Sequence, residues 1–205
     1  NDEVTIVKKK WIRTMLKKST KVKELNEIPY SIVSNEPYVV KNIEWNYNPY
    51  KYPCVDETAL KMKLNASSDI LFEQIPLQQT CVPGGNIKDV MRAYWKNGKN
   101  RTVTKIHYDM SDNIVWCDVG VKIWFLWRPN AKKSLKLPLR KGSGYLTEAS
   151  YFLHEVDSID EEMFSVVLRG KDVLYIPPEW PHTVYTFKNT YCISNWNLRR
   201  GNRRQ

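Results

Sequence analysis

Asp172-Val173-Leu174-Tyr175-Ile176-Pro177-Pro178-Glu179-Trp180-Pro181-His182 decides how the rest of the chain is read. Val173–Ile176 is apolar and reads as a short buried strand. The prolines then stiffen a turn and deliver His182 to the start of another strand, Thr183–Phe187. Upstream and downstream the same grammar repeats. Thr102–Tyr108, Ile114–Val119, Val121–Trp127, Ser165–Leu168 and Tyr191–Trp196 are all short and aromatic or β-branched. Gly, Pro, Asn or Lys bound them. So many short strands in one span predict a mainly β sandwich or barrel.

The region before Thr102 is less regular. Val4, Val7, Trp11, Ile12 and Met15 recur at helical spacing, so residues 3–18 read as an amphipathic helix. The zone from Ile28 to about Ser68 is rich in Pro, Asn and Tyr, with one strand at Pro37–Val40. After the Pro83-Gly84-Gly85 break, Asn86 or Ile87 to Trp95 reads as a short helix with Asn86 as its N-cap. These helices are expected to pack outside the β core. The resulting organisation is a basic helical segment over 1–28, a β domain over 29–198 and a basic tail over 199–205.

Composition excludes several classes. At 205 residues with 42% hydrophobic content, the chain has enough apolar mass for one cored domain and is not disordered throughout. No apolar run nears the about 20 residues a membrane helix needs, so a membrane is not an expected partner. Asn1-Asp2-Glu3 starts no signal peptide, and Cys54, Cys81, Cys117 and Cys192 form no CxxC pair. Both point to an intracellular setting. The net charge of +10 is concentrated at the ends. Residues 1–24 carry eight Lys or Arg against three acids, and 199–205 carry four Arg and no acid. Basic ends suit a polyanion such as nucleic acid, or serve solubility alone.

The chemistry concentrates in two segments. In Thr104-Lys105-Ile106-His107-Tyr108-Asp109, strand alternation lets His107 and Asp109 project to one side. His182 supplies a second imidazole. Two His and one carboxylate are the donor set of a facial triad for non-haem Fe(II). The chain holds only three histidines, and two lie in these segments. The third, His154, reads as a surface or loop residue. Val121–Trp127 is apolar on both faces, so Lys122 would sit in a buried strand, where an ammonium needs an anionic partner. Trp116, Trp124, Trp127 and Trp196 read as core in preference to an aromatic cage. The loop from Asn130 to Ser150, with Lys132, Lys133, Lys136, Arg140 and Lys141, reads as a solvated insertion in preference to a cover over the substrate entrance.

Three segments together resemble the JmjC (Jumonji C) domain: His107–Asn113, Gly120–Leu126, and Asp172–His182 followed by Ile193-Ser194-Asn195-Trp196. The resemblance spans about residues 30–198 and is strongest over 102–198. It implies a cupin-type double-stranded β-helix, and an oxygenase that uses Fe(II) and 2-oxoglutarate. His107, Asp109 and His182 match the iron ligands. Lys122 matches the lysine that pairs with the distal carboxylate of 2-oxoglutarate, and Thr104 a hydroxyl that helps hold it. Thr104 lies three residues before His107, so it contributes only if a bulge interrupts the alternation. Asn113 and Asn195 match positions lining the co-substrate pocket, although Asn197 shares a strand face with Asn195. The implied chemistry couples decarboxylation of 2-oxoglutarate to succinate with hydroxylation. On an N-methyl group the product breaks down to formaldehyde and the demethylated amine.

The branch stays open. Asn113–Trp116, Trp127–Asn130, Tyr151–Asp157 and the segment after Trp180 resemble histone lysine demethylases, which implies a protein substrate in chromatin and a nuclear location. The short interval from His107 to Lys122 resembles the small JmjC protein or RNA hydroxylases. Asn113 stands where the demethylase pattern has Thr. A third reading is a JmjC scaffold that acts by binding, with little turnover.

Overall fold

The structure is a computed structural model, and it describes residues 9–29, 33–43, 70–73, 90–97, 101–138 and 147–197. Two antiparallel-rich sheets lie face to face. The first sheet runs β1 (Thr20–Lys21), β11 (Met163–Arg169), β9 (Val121–Trp127), β13 (His182–Thr186), β7 (His107–Tyr108), β10 (Thr147–Glu148), with β6 (Thr102–Val103) also on β13. The second runs β2 (Lys23–Leu25), β3 (Tyr38–Val40), β12 (Val173–Ile176), β8 (Asp112–Val119), β14 (Thr190–Asn197), β5 (Val90–Asn97), β4 (Ile70–Glu73). The sequence-based expectation of a mainly β, cupin-type double-stranded β-helix with an N-terminal helix holds. β1 and β2 are consecutive in the chain yet pair, in parallel, with opposite sheets.

Alternation sorts the strands into two cores. Val115 and Cys117 of β8, Trp124 and Leu126 of β9, Leu174 and Ile176 of β12, Val184 of β13 and Cys192 of β14 form the inner cluster between the sheets. The intervening residues Ile123, Phe125, Trp127 and Tyr185 face outward. They are covered by the helix α1 (Lys9–Lys18), which buries Ile12 and lays Trp11, Met15 and Leu16 on the same cluster. Trp11 meets Tyr185 at 5.4 Å and Phe125 at 6.3 Å between ring centroids. Burying the Ile12 side chain stabilises by about 1.5–3 kcal/mol. The lysines at 9, 10, 17 and 18 and Arg13 are left exposed.

Gly120, at φ 88°, makes the turn from β8 to β9. A Cβ there would lie 2.3 Å from Thr190 Oγ1, so no side chain fits. The same Thr190 hydroxyl accepts the Val121 N–H at 3.0 Å, which fixes the start of the strand carrying Lys122.

Three expectations need correction. Asn86 or Ile87 to Trp95 does not continue as a helix: residues 90–97 are β5, paired along their length with β14 and over four residues with β4. Met91, Ala93 and Trp95 alternate with Arg92 and Lys96, so period two fits this short stretch as well as helical spacing does, and the ladder decides. Residues 86–89, and the helix start expected at residues 3–8, lie outside the described residues. The Thr102–Tyr108 strand is broken at 104–106 into β6 and β7, both on β13. The described part of the 130–150 loop is not a solvated insertion: Ala131, Leu135 and Leu137 are buried in the outer cluster.

Candidate metal centre

The two histidines are set by one local device used twice. His107 Nδ1 bonds the Lys105 carbonyl at 2.8 Å, and His182 Nδ1 bonds the Trp180 carbonyl at 2.8 Å. Each ring is thus pinned by the carbonyl two residues before it, with Nε2 left to coordinate, the arrangement metal-ligating histidines adopt. His107 and His182 lie directly opposite on adjacent strands, with ring centroids 4.3 Å apart. Asp109 follows β7 and brings Oδ2 to 3.6 Å from His182 Nε2. One ligand atom from each of His107, Asp109 and His182 lies within 4.8 Å of the others.

The proline turn is docked onto this loop. Glu179 N–H donates to the Asp109 carbonyl at 2.7 Å, and Pro181 carbonyl accepts the Trp127 N–H at 2.9 Å. Glu179 takes φ 68°, a costly backbone conformation for a non-glycine residue. Its carboxylate pairs with Lys132 at 3.0 Å, and the Lys132 ammonium stands 4.2 Å from the Tyr108 ring centroid. The segment that sequence reading treated as an insertion therefore braces the rim of the centre.

Burial, and then the neighbouring His107, lower His182 to about 4. Its imidazole is neutral near pH 7, the form that binds a metal. Between about pH 6.5 and about 4 the unfolded chain protonates this group and the folded chain does not. Stability is therefore complete above 6.5 and is lost as pH falls towards 4. Urea unfolding of the metal-free protein should show a loss on the order of 2 kcal/mol from pH 7 to pH 5. A flat profile in this interval would show that His182 keeps an ordinary proton affinity when folded.

Lys122 lies on the inner face of β9, opposite Thr186 and four residues along from the Leu126–His182 pair. At about 3.3 Å per residue, that is about 13 Å of strand. A lysine side chain and a five-carbon dicarboxylate together span this distance. Lys122 is buried, and burial pushes its ammonium below the ordinary value. Two further polar atoms sit along the same span. Asn113, on the inner face of β8, is 2% exposed, and its Oδ1 has no hydrogen-bond partner among the described residues; the buried Trp124 Nε1 also has none. Both atoms are shaped to receive a polar ligand. The residues present thus fit a divalent ion at one end of the barrel and an anion at the other.

Thr104 falls in the break between β6 and β7, so the interruption on which its role depended is present. Its hydroxyl oxygen accepts the Val184 N–H at 2.9 Å, its N–H donates to the Val184 carbonyl at 3.0 Å, and its carbonyl accepts the Thr183 hydroxyl. Thr104 stitches the broken strand to β13 and keeps one hydroxyl proton to donate. Asn195 pairs with Ile114 and Asn197 with Asp112, the β8 positions that alternate with Asn113, Val115 and Cys117, so the register puts both on the other face of the sheet and corrects the expectation that Asn195 lines the pocket. His154 is a loop residue, as expected, but not a freely solvated one. It is half-buried on a short 3-10 turn, stacked on Phe152, 3.1 Å from the Tyr185 hydroxyl and edge-on to Trp11. Trp196, read as core, has a different part. Its Nε1 donates to Asp109 Oδ2 at 3.3 Å and orients that carboxylate. Only the β14–β8 register reveals this.

Two imidazoles and a carboxylate gathered inside a double-stranded β-helix, with a buried lysine further along the same inner face, define a cupin with a candidate metal centre. The chain belongs to the Cupin-like domain family, whose model matches residues 50–200. It is similar to the lysine-specific demethylase JMJ30 of Arabidopsis thaliana, at 28% identity over 135 residues. That match covers 62% of this chain and 30% of the relative, so the chain spans under a third of that protein. Among solved structures, E. coli ycfD matches at 21% identity over 52% of this chain and 24% of that one, with a TM-score of 0.33. Among the described residues no helix is long and apolar enough to cross a membrane.

Proposed function

We propose that the chain is an Fe(II)- and 2-oxoglutarate-dependent dioxygenase acting on a protein substrate, of the histone lysine demethylase type and associated with chromatin in the nucleus. The observation that carries the dioxygenase reading is the His107, Asp109, His182 cluster with Lys122 buried four residues further along the inner face of β9. His107, Asp109 and His182 hold the iron. The Lys122 ammonium binds the distal carboxylate of 2-oxoglutarate, with Asn113 and Thr104 along the pocket. When bound, the iron supplies the oxidative step that couples decarboxylation of the co-substrate to hydroxylation. The barrel excludes water, Trp196 holds Asp109 in line, and the Glu179–Lys132 pair shapes the entrance.

The demethylase type is supported by the motif resemblance and by the name of the relative matched over 62% of this chain. The hydroxylase reading is kept because Lys122 follows His107 by the short interval of that class. The scaffold reading keeps the triad intact and supposes binding with little turnover. One experiment separates them: anaerobic Fe(II) and 2-oxoglutarate binding, then mass spectrometry of histone and other candidate peptides in air. Loss of a methyl group with release of formaldehyde shows demethylation. Gain of one oxygen shows hydroxylation. Binding without either product favours the scaffold.

The exposed basic face of α1 and the arginines at 199, 200, 203 and 204 support contact with nucleic acid. Phosphate contacts raise affinity without reading sequence. Deleting residues 199–205 should weaken DNA binding and flatten its salt dependence by about 0.9 in log–log slope for each lost contact. Turnover on a short peptide should barely change. Identical slopes in side-by-side salt titrations would leave the tail a solubility feature.

A further inference from the structure

The inner face of β8 and the inner face of β14 each contribute one cysteine at the Lys122 end of the barrel. Cys117 and Cys192 are direct cross-strand partners, and a register shift falls just beside them, between Tyr191 and Cys192. The Cys117 N–H donates to the Asp172 carbonyl at 3.0 Å, and the Cys117 carbonyl accepts the Lys171 N–H at 2.6 Å. Both backbone groups of Cys117 thus point to β12, away from β14. Towards β14 the position is of the non-hydrogen-bonded kind, in which opposed Cα atoms stand about 4.5 Å apart and side chains approach most closely. That separation falls within the about 4.4–6.8 Å that a disulfide spans.

The side chains agree with the backbone. Both cysteines are free thiols, both are 0% exposed, and both belong to the inner cluster. As cross-strand partners they stand side by side, with Lys122 near both, Asp172 near Cys117 and Asp118 near Cys192. The Cys117 thiol also reaches the Val119 carbonyl at 3.5 Å. The hydrogen bond with Cys192, followed by burial, raises Cys117. Burial acts against the Cys192 thiolate, but the Cys117 hydrogen bond and the Lys122 ammonium outweigh it, so Cys192 is lowered. An acidified thiol beside a second one is the arrangement of an attacking and a resolving cysteine.

We propose that Cys117 and Cys192 form a modification site at which a peroxide closes a reversible disulfide across the barrel wall, stapling β8 to β14. Cys192 sulfur attacks one peroxide oxygen, the O–O bond breaks and the first water leaves. Cys117 sulfur then displaces the hydroxyl from the oxidised Cys192, and the second water leaves. Two thiols and one peroxide become one disulfide and two waters; both sulfurs are oxidised and both peroxide oxygens reduced. The strands joined carry Asn113 and Trp196, so the staple holds together the wall that lines the cavity. Buried thiols meet solutes through local opening of the strands, which makes a small peroxide the fitting oxidant and a bulky disulfide a slow one.

The test uses the full chain with Cys54→Ser and Cys81→Ser, so that only this pair can react. It is exposed to hydrogen peroxide with a chelator that withholds iron, then denatured and alkylated. The expected result is a mass lower by two hydrogens, no alkyl adduct, and a single peptide pair joining Cys117 to Cys192. Closing so long a loop should raise Tm by roughly 10 °C. Both changes should reverse with dithiothreitol. Two alkylated thiols after exposure, or separate sulfinic acids on the two peptides, would overturn the proposal. Adding Cys192→Ala should abolish the thermal shift; an equal shift in that variant would overturn it as well.

Discussion

His107→Ala, Asp109→Ala and His182→Ala are each expected to abolish Fe(II) binding or weaken it beyond the about 10–100-fold that loss of an outer-shell partner costs. Each removes one of three protein donors, and none of the three has a substitute in the cluster. Trp196→Phe is the internal comparison. It removes the indole N–H that bonds Asp109 and leaves all three donors, so its loss should stay within that about 10–100-fold range. Anaerobic metal titration followed by circular dichroism separates lost binding from lost fold. Wild-type Fe(II) affinity in all three folded alanine variants would refute the metal assignment.

Lys122→Met should have two opposite effects in one protein. Charge-assisted hydrogen bonds contribute roughly 1.5–3 kcal/mol, so 2-oxoglutarate affinity should fall by about one to two decades. The metal site should still form, because Lys122 lies four residues along the strand from it. The ligand-free protein should become more stable, by about 1 kcal/mol or more. Burial disfavours the Lys122 ammonium, whereas the methionine brings a similar length without charge. Isothermal titration and urea unfolding read the two effects separately. Unchanged 2-oxoglutarate affinity in a folded variant would show that the carboxylate is held elsewhere.

What the amino-acid sequence determines by itself is the β character of most of residues 102–197 and the three residues that the fold gathers into one cluster. The strands are short and dense in Val, Ile, Trp and Tyr, so local pattern and tertiary environment demand the same conformation. The His-x-Asp pair and the proline turn before His182 carry their meaning in fixed local spacing. The buried setting of Lys122 also followed from an apolar strand on both its faces. Tertiary structure decided everything that depends on register between strands distant in the chain. It made a strand of residues 90–97, because two neighbouring strands left a ladder position to fill and the local pattern fitted either period. It broke Thr102–Tyr108 so that Thr104 could close the gap on β13, and it folded Lys132 back to Glu179. It brought Trp196 to Asp109 and Cys192 to Cys117, pairs that lie 87 and 75 residues apart in the chain. A period-two strand shows which residues share a face; it does not show which strand lies opposite, and that pairing is fixed only when the inner core closes.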